Sequence, residues 1–452
     1  MTSPTDRAHQ RRVVLAAGVG TMMEFYDFAI FGTAAALLFG TVFFPTASPG
    51  AGTLASFATF AAAFVARPLG GMVFGHFGDR LGRKRLLQIS LIGMGVSTML
   101  IGVLPTYAEA GILAPVLLVI LRVLQGVAAG GEVGGAVVTV LEHAPVNRRA
   151  TLGAYVFACL SLGGVLASAV FLVVSTALSP EQFESWGWRI PFLLSIVLLG
   201  TGMYVRARLE ETPDFRTLAE SGGTARIPLF EVFRRHWRQV LLVVGVAGAY
   251  SIASFLVAVY VISFLAGPVG ATRTFTLVAF VLSMSICAVC AVAAGRAADT
   301  YGRRRVLAVG LAGVAGGAYP FFAVVGDGSP IPILIVMGAM GAVVGIVGGP
   351  LGTHFSEVFP PRLRYSGFSV GYQMASIVGG GFAPFIAAAL YTVAGGRVWA
   401  VALYLSGAAV IGLICLTWLP DRAGPRDSRD VEDTSSTLGR SPLAGTEAPS
   451  TP

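Results

Sequence analysis

The sequence predicts an all-α membrane protein of twelve transmembrane helices, arranged as two pseudo-symmetric six-helix bundles. Three observations carry this. First, 55% of the 452 residues are hydrophobic and only 12% are charged, whereas soluble domains carry about 25% charged residues, so a soluble fold cannot hide this much apolar surface. Second, the apolar residues come in runs of about 20, the length at which a helix crosses a bilayer, without the polar–apolar alternation of barrel strands. Third, one basic turn is repeated. Gly75-His76-Phe77-Gly78-Asp79-Arg80-Leu81-Gly82-Arg83-Lys84-Arg85 recurs as Gly295-Arg296-Ala297-Ala298-Asp299-Thr300-Tyr301-Gly302-Arg303-Arg304-Arg305, with Asp79 and Asp299 separated by 220 positions. Repeated halves in a membrane protein point to a transporter with its site between them.

The elements follow in order. Residues 1–12 are polar and basic without a cleavage signature, and read as a cytoplasmic N-terminal segment rather than a removable signal. The first bundle, 13–206, holds apolar runs near 13–40, 53–75, 86–104, 113–141, 150–176 and 188–206. Residues 207–238, with Glu210-Glu211-Thr212-Pro213 and Ser221-Gly222-Gly223, read as a cytoplasmic linker. The second bundle, 239–419, holds runs near 239–266, 273–295, 306–325, 331–358, 366–394 and 398–419. Residues 420–452 are rich in Ser, Thr, Pro, Arg and Asp, the composition of a disordered tail.

Orientation comes from the basic residues. Arg7, Arg11 and Arg12, the turn at 80–85, Arg148 and Arg149, the linker arginines, Arg303 to Arg305, and Arg362 and Arg364 all fall on one side of the alternating spans. That side, with both termini, is expected to be cytoplasmic. The net charge of +8 expresses this bias and needs no nucleic-acid partner. Cys159, Cys287, Cys290 and Cys415 lie inside apolar runs, and the Cys287–Cys290 pair has no second ligand pair, so no metal or redox role is expected. Paired glycines such as Gly70-Gly71, Gly130-Gly131 and Gly348-Gly349 sit within predicted helices, where small residues let membrane helices approach closely.

Ionisable residues deep in a span are costly unless paired or facing water, so each is a candidate functional residue. At 1.5 Å per residue, Glu24 and Asp27 lie about 17 and 21 Å into the first span, Arg67 about 21 Å into the second, and Arg122 about 14 Å into the fourth. All four fall near mid-bilayer, and Arg122 can meet Glu24 or Asp27. The expectation is a shared polar cleft in which Arg122, with Arg67, holds a carboxylate through its rigid fork while Glu24 or Asp27 carries a proton. A static buried ion pair is the competing reading. Glu132 is a second proton site or gate residue. Tyr250 and Tyr260 in the seventh span and Tyr372 and Gln373 in the eleventh are hydrogen-bonding candidates in the second bundle. Asp79 is read as an ion-pair latch at a helix end, with Gly75 and Gly82 allowing a tight turn, and Arg80, Arg83 and Lys84 completing the gating loop. Asp299, Gly302 and Arg303 are its second copy.

Several stretches carry a resemblance. Gly75-x-x-x-Asp79-Arg80-x-Gly82-Arg83-Lys84 is similar to the signature loop of the major facilitator superfamily. Glu24-Phe25-Tyr26-Asp27-Phe28, Arg67-Pro68-Leu69-Gly70-Gly71, Arg122-x-x-Gln125-Gly126, Gly130-Gly131-Glu132-x-Gly134-Gly135, Gly187-Trp188-Arg189-Ile190-Pro191-Phe192 and Arg364-Tyr365-Ser366-Gly367 resemble the metabolite:proton symporters, the group containing shikimate, α-ketoglutarate, citrate and proline/betaine transporters. Within these stretches Tyr26 and Gln125 join the substrate-binding candidates. Thr300 stands where many members carry Arg after the Asp, so the second loop is expected to latch less firmly. The resemblance implies uptake of a small organic acid or zwitterion with a proton across the cytoplasmic membrane. The expected partners are that organic anion, protons and the lipid bilayer. No cofactor beyond the proton gradient, no metal and no enzymatic activity are expected, and a monomer is the expected working unit. An exporter of the same fold and a non-transporting sensor are the competing functions.

Overall fold

The computed structural model describes residues 4–81, 83–130, 137, 140, 141, 144–207, 232, 234–360 and 363–420. Among the described residues every regular element is a helix. Among the described residues, nine helices are long and apolar enough to cross a membrane. With the shorter apolar helices Gln88–Gly102 and Leu113–Ala129 and the long helix Pro4–Leu37, they make twelve. We number them α1 (Pro4–Leu37), α2 (Pro49–Leu81), α3 (Arg83–Gly102), α4 (Leu113–Ala129), α5 (Arg149–Ala177), α6 (Ile190–Leu193 continuing as Ser195–Ala207), α7 (Trp237–Ala266), α8 (Arg273–Tyr301), α9 (Arg303–Asp327), α10 (Pro330–Val358), α11 (Arg364–Ser376 continuing to Ala383–Val393) and α12 (Trp399–Trp418). The first helix begins at Pro4 rather than near 13, because proline suits a first turn and nothing from Thr5 to Arg12 breaks the helix. The linker lies almost wholly outside the described residues, as does the tail.

Large apolar side chains such as Val289, Ile331, Val393 and Ile411 face outward on the helices, which in a membrane is the lipid-facing surface. Inside each bundle, helices touch backbone to backbone. A methyl group on Gly126 or Gly130 of α4 would overlap the carbonyl oxygen of Ala63 or Arg67 on α2, and one on Gly70 would overlap that of Val127. The second bundle repeats this. Gly341, Gly345 and Gly349 of α10 ride on the carbonyls of Ser283, Cys287 and Ala291 of α8. The spacing of four residues on both partners keeps the contact on one helix face. We therefore expect Gly126→Ala to lower stability by about 1–3 kcal/mol through overpacking. Gly316→Ala, where an added methyl meets open space, is expected to be neutral or stabilising by up to about 1 kcal/mol. Thermal unfolding of the purified variants checks the contrast.

The bundles meet along a seam. Helix α5 lies against α8, α2 against α11, and α1 against α7. Helices α7 and α11 each carry one π-helical turn, Leu256–Tyr260 and Ile377–Gly381. Such turns interrupt the regular ladder and occur often at functional sites. Gly380 in the second meets the ring of Phe64 on α2.

Candidate functional site

Glu24 and Asp27 stand three residues apart on α1, so both project to nearly the same side. Arg67 reaches Glu24 from α2, with 3.2 Å between nitrogen and oxygen and both side chains buried. Its guanidinium lies 4.1 Å from the ring centre of Phe28 and 4.6 Å from that of Phe64. Arg122 is fully buried on α4. Its Nη1 donates to Gln125 Oε1 at 2.5 Å and its Nη2 to the Phe60 carbonyl at 3.1 Å, while the guanidinium stacks 3.8 Å from the Phe31 ring centre. Gln125 in turn donates to Thr98 Oγ1 at 2.8 Å. Glu24 ion-pairs with Arg67, Arg122 takes Gln125 and the Phe60 carbonyl as its partners, and Asp27 is buried on the same helix as Glu24, three residues on. Phe28 lies within cation–π distance of both arginines, 4.1 and 5.3 Å, and its negative ring faces soften the repulsion between them.

The second bundle approaches this cluster through α7 and α11. On α11, Gln373 reaches the Gly130 carbonyl at 3.4 Å, across the seam, and its neighbour Tyr372 stacks on Phe368 at 5.7 Å. Tyr250 meets Phe157 of the first bundle edge-on at 5.9 Å. Ser161 of α5 donates to Cys287 Sγ of α8 at 3.4 Å. Phe255 of α7 contacts Phe25, Phe60 and Phe64 with ring centres 5.3 to 6.0 Å apart, which seals the seam beside the charges. Two candidates are placed differently. The Tyr26 hydroxyl donates to the Pro191 carbonyl at 2.9 Å, tying α1 to α6 within the first bundle. The Tyr260 hydroxyl is buried without a hydrogen-bond partner, between Phe264 and Phe322 of the second.

The repeated turn builds a latch. Helix α5 starts at Arg149, and the Arg148 side chain at its N-cap position caps nothing. Asp299, from the other bundle, takes that role: Oδ1 accepts from the Ala150 N–H at 2.9 Å, and Oδ2 from the Thr151 N–H at 2.9 Å and its hydroxyl at 2.6 Å. These are the amides that a capping oxygen satisfies, at the positive end of the helix dipole. Gly302 turns the chain from α8 into α9 with φ of 93°, a conformation that favours glycine. Arg303 then ion-pairs with Glu357 at the end of α10, which also lies 3.6 Å from Arg149. The expectation of a weakened second latch thus finds three hydrogen bonds and a bridging carboxylate despite Thr300. At the opposite face, Arg273 and Glu184 join the bundles at 3.1 Å. The side chains of Gly75, Asp79, Arg80, Arg83 and Lys84 lie outside the described residues, as do Gly82 and Glu132.

Asp299→Ala is expected to destabilise the latched state by about 1–2 kcal/mol, or roughly 5- to 30-fold in its population. Maleimide labelling of Cys287, in a background with the other three cysteines replaced by serine, should rise by that factor.

Two family comparisons and several relatives bear on this arrangement. Residues 13–227 match the family described as sugar (and other) transporter, and residues 254–445 match the major facilitator superfamily. The chain is 41% identical over 412 residues to the inner membrane metabolite transport protein YhjE of Escherichia coli strain K12, covering 90% of this chain and 93% of that one. The chain belongs to the major facilitator superfamily. It is also 39% identical to the shikimate transporter of the same strain, covering 91% and 94% of the two chains. It is 31% identical to the proline/betaine transporter of Salmonella typhimurium strain LT2, covering 90% and 83%. Among solved structures, the proton:xylose symporter XylE bound to 6-bromo-6-deoxy-D-glucose superposes with a TM-score of 0.73 at 18% identity, over 92% of this chain and 97% of that one, a likeness of fold. This major facilitator protein is therefore a multi-pass membrane transporter of metabolites and not an enzyme.

Reasoning from sequence missed part of the site of this transporter. Phe28 and Phe31 stand four residues after Glu24 and Asp27, and Phe60 and Phe64 precede Arg67 at helical spacing, so the aromatic cage around the arginines was written in the i, i+3 and i, i+4 pattern. Glu357 was passed over because orientation was read from basic residues alone. Thr98 and Ser161 carry no such signal, since a hydroxyl in an apolar run usually bonds its own helix.

Proposed function

We propose that this transporter takes up a small organic anion together with a proton across the cytoplasmic membrane, with both termini on the cytoplasmic side, by alternating access between the bundles. The observation that supports this most is the buried Glu24–Arg67 pair, with Gln373 of the opposite bundle hydrogen-bonded to Gly130, which packs on the Arg67 carbonyl. Arg67 is the candidate to hold the substrate carboxylate, because both Nη atoms of Arg122 are engaged by Gln125 and Phe60. A carboxylate from outside competes with Glu24 for the same guanidinium. It takes that place when Glu24 is protonated, since two carboxylates and one arginine leave an uncompensated buried charge. One proton thereby travels with each anion. Arg122, caged by aromatic rings and bonded to Gln125 and the Phe60 carbonyl, is the fixed cation of the first bundle. Tyr372, Gln373, Tyr250 and Ser254 offer hydrogen bonds to the rest of the substrate. The shikimate transporter among the relatives favours a hydroxylated carboxylate, and the proline/betaine transporters keep a zwitterion as the second reading, since it too bears a carboxylate.

The test uses protein reconstituted in liposomes with an imposed inward proton gradient. Shikimate, α-ketoglutarate and betaine are offered separately. Accumulation of a carboxylate with acidification of the lumen is the expected result. Accumulation indifferent to the proton gradient, or net movement outward in exchange for protons, overturns the proposal.

A further inference from the structure

The three consecutive arginines of the second turn do different things. Arg303 pairs with Glu357, and Arg304 donates to the Thr417 carbonyl of α12. Arg305 is exposed and makes no ion pair or hydrogen bond among the described residues. It stands at the end of an open groove of about 450 Å³ on the second bundle, lined by α8, α9 and α10. Ala293, Ala294 and Ala297 make the groove by their small size, and Val309 and Ile346 form its other walls. Tyr301, 68% exposed, stands beside Arg305 at the mouth. Apolar walls of this kind suit a hydrocarbon chain, whereas the exposed Arg305 guanidinium, beyond the apolar lining at the end nearest the arginine-rich turn, suits an anionic oxygen acid. A soluble anion has no use for the walls, and a neutral lipid has no use for the cation.

We propose that this groove binds one anionic phospholipid from the leaflet on the side of the arginine-rich turns, with its phosphate on Arg305 and Tyr301 and one acyl chain along Ala293, Ala294 and Ala297. The groove adjoins the helix that carries Asp299. A lipid seated there touches α8 and α9 on either side of Gly302, the turn beside the latch.

The test is native mass spectrometry of the detergent-solubilised full chain with phosphatidylglycerol or phosphatidylcholine added at equal concentration. Phosphatidylglycerol is expected to be retained more strongly. Arg305→Gln should lower its retention roughly fivefold, the effect of one basic residue at a membrane surface, and Ala297→Phe, which fills the groove, should lower retention of both lipids. Arg397→Gln, an exposed arginine at the opposite face, should change nothing. Equal retention of the two lipids by the unaltered protein, or unchanged retention in both Arg305→Gln and Ala297→Phe, overturns the proposal. Because lipid retention requires no transport, this outcome is independent of the substrate and proton assignments.

Discussion

Liposomes carrying the Glu24→Gln protein are expected to lose accumulation against a gradient while still exchanging internal for external substrate. One proton moving with a monocarboxylate leaves the cycle without net charge, so a gradient of about one pH unit supports about tenfold accumulation. In the variant that ratio should fall to unity. Glutamine keeps the shape and a hydrogen bond to Arg67 but has no proton to give up, so the arginine can be visited by substrate at any pH. Counterflow of labelled substrate at equal pH on both sides separates a lost coupling from a lost fold. The Asp27→Asn protein and the double variant go through the same assay. If uphill uptake survives in all three, neither acid carries the proton.

The second large effect concerns Arg122. Replacing it with leucine removes the donors to Gln125 Oε1 and the Phe60 carbonyl and the cation stacked among Phe28, Phe31 and Phe60. Leaving two buried acceptors unsatisfied costs about 1–3 kcal/mol each, so thermal unfolding in detergent should show a clearly destabilised protein. Arg122→Lys keeps the charge, yet a single ammonium cannot span Gln125 Oε1 and the Phe60 carbonyl while stacking on Phe31. A loss of about 1.5–3 kcal/mol is expected there. If the leucine variant is as stable as the unaltered protein, the two acceptors do not depend on Arg122.

How far the sequence could be read differs by level. The twelve helices were legible because apolar length and the positive-inside bias are one-dimensional properties, and the repeat announced the two bundles. The depth of Glu24, Asp27, Arg67 and Arg122 was legible for the same reason, since rise per residue converts position into depth. Which acid meets which arginine was not. Glu24 and Asp27 share a side of α1 and nearly a depth, so their partners depend on the rotation of α2 and α4 about their own axes, which the close contacts at Gly126 and Gly130 fix. The Asp299 latch was legible as a motif but not as chemistry. That its partner is the bare amino end of α5 depends on how the bundles face each other across the seam, and on Arg148 failing to cap its own helix. Tyr26 shows the limit of motif reading, because its neighbours on α1 serve the charges while its hydroxyl is tied to Pro191.

The crossing of α2 with α4 has a consequence for the transport cycle. Where main chain rests directly on main chain, there is no rotamer to flip and no soft side chain to compress, so the joint behaves as a weld. The carbonyl of Arg67 itself sits on Gly130, and that of Ala63 on Gly126, one turn beyond the stem of Arg122. The separation between the two cationic stems is therefore set by main chain rather than by rotamers. In the proposed cycle, the anion held by Arg67 is what changes.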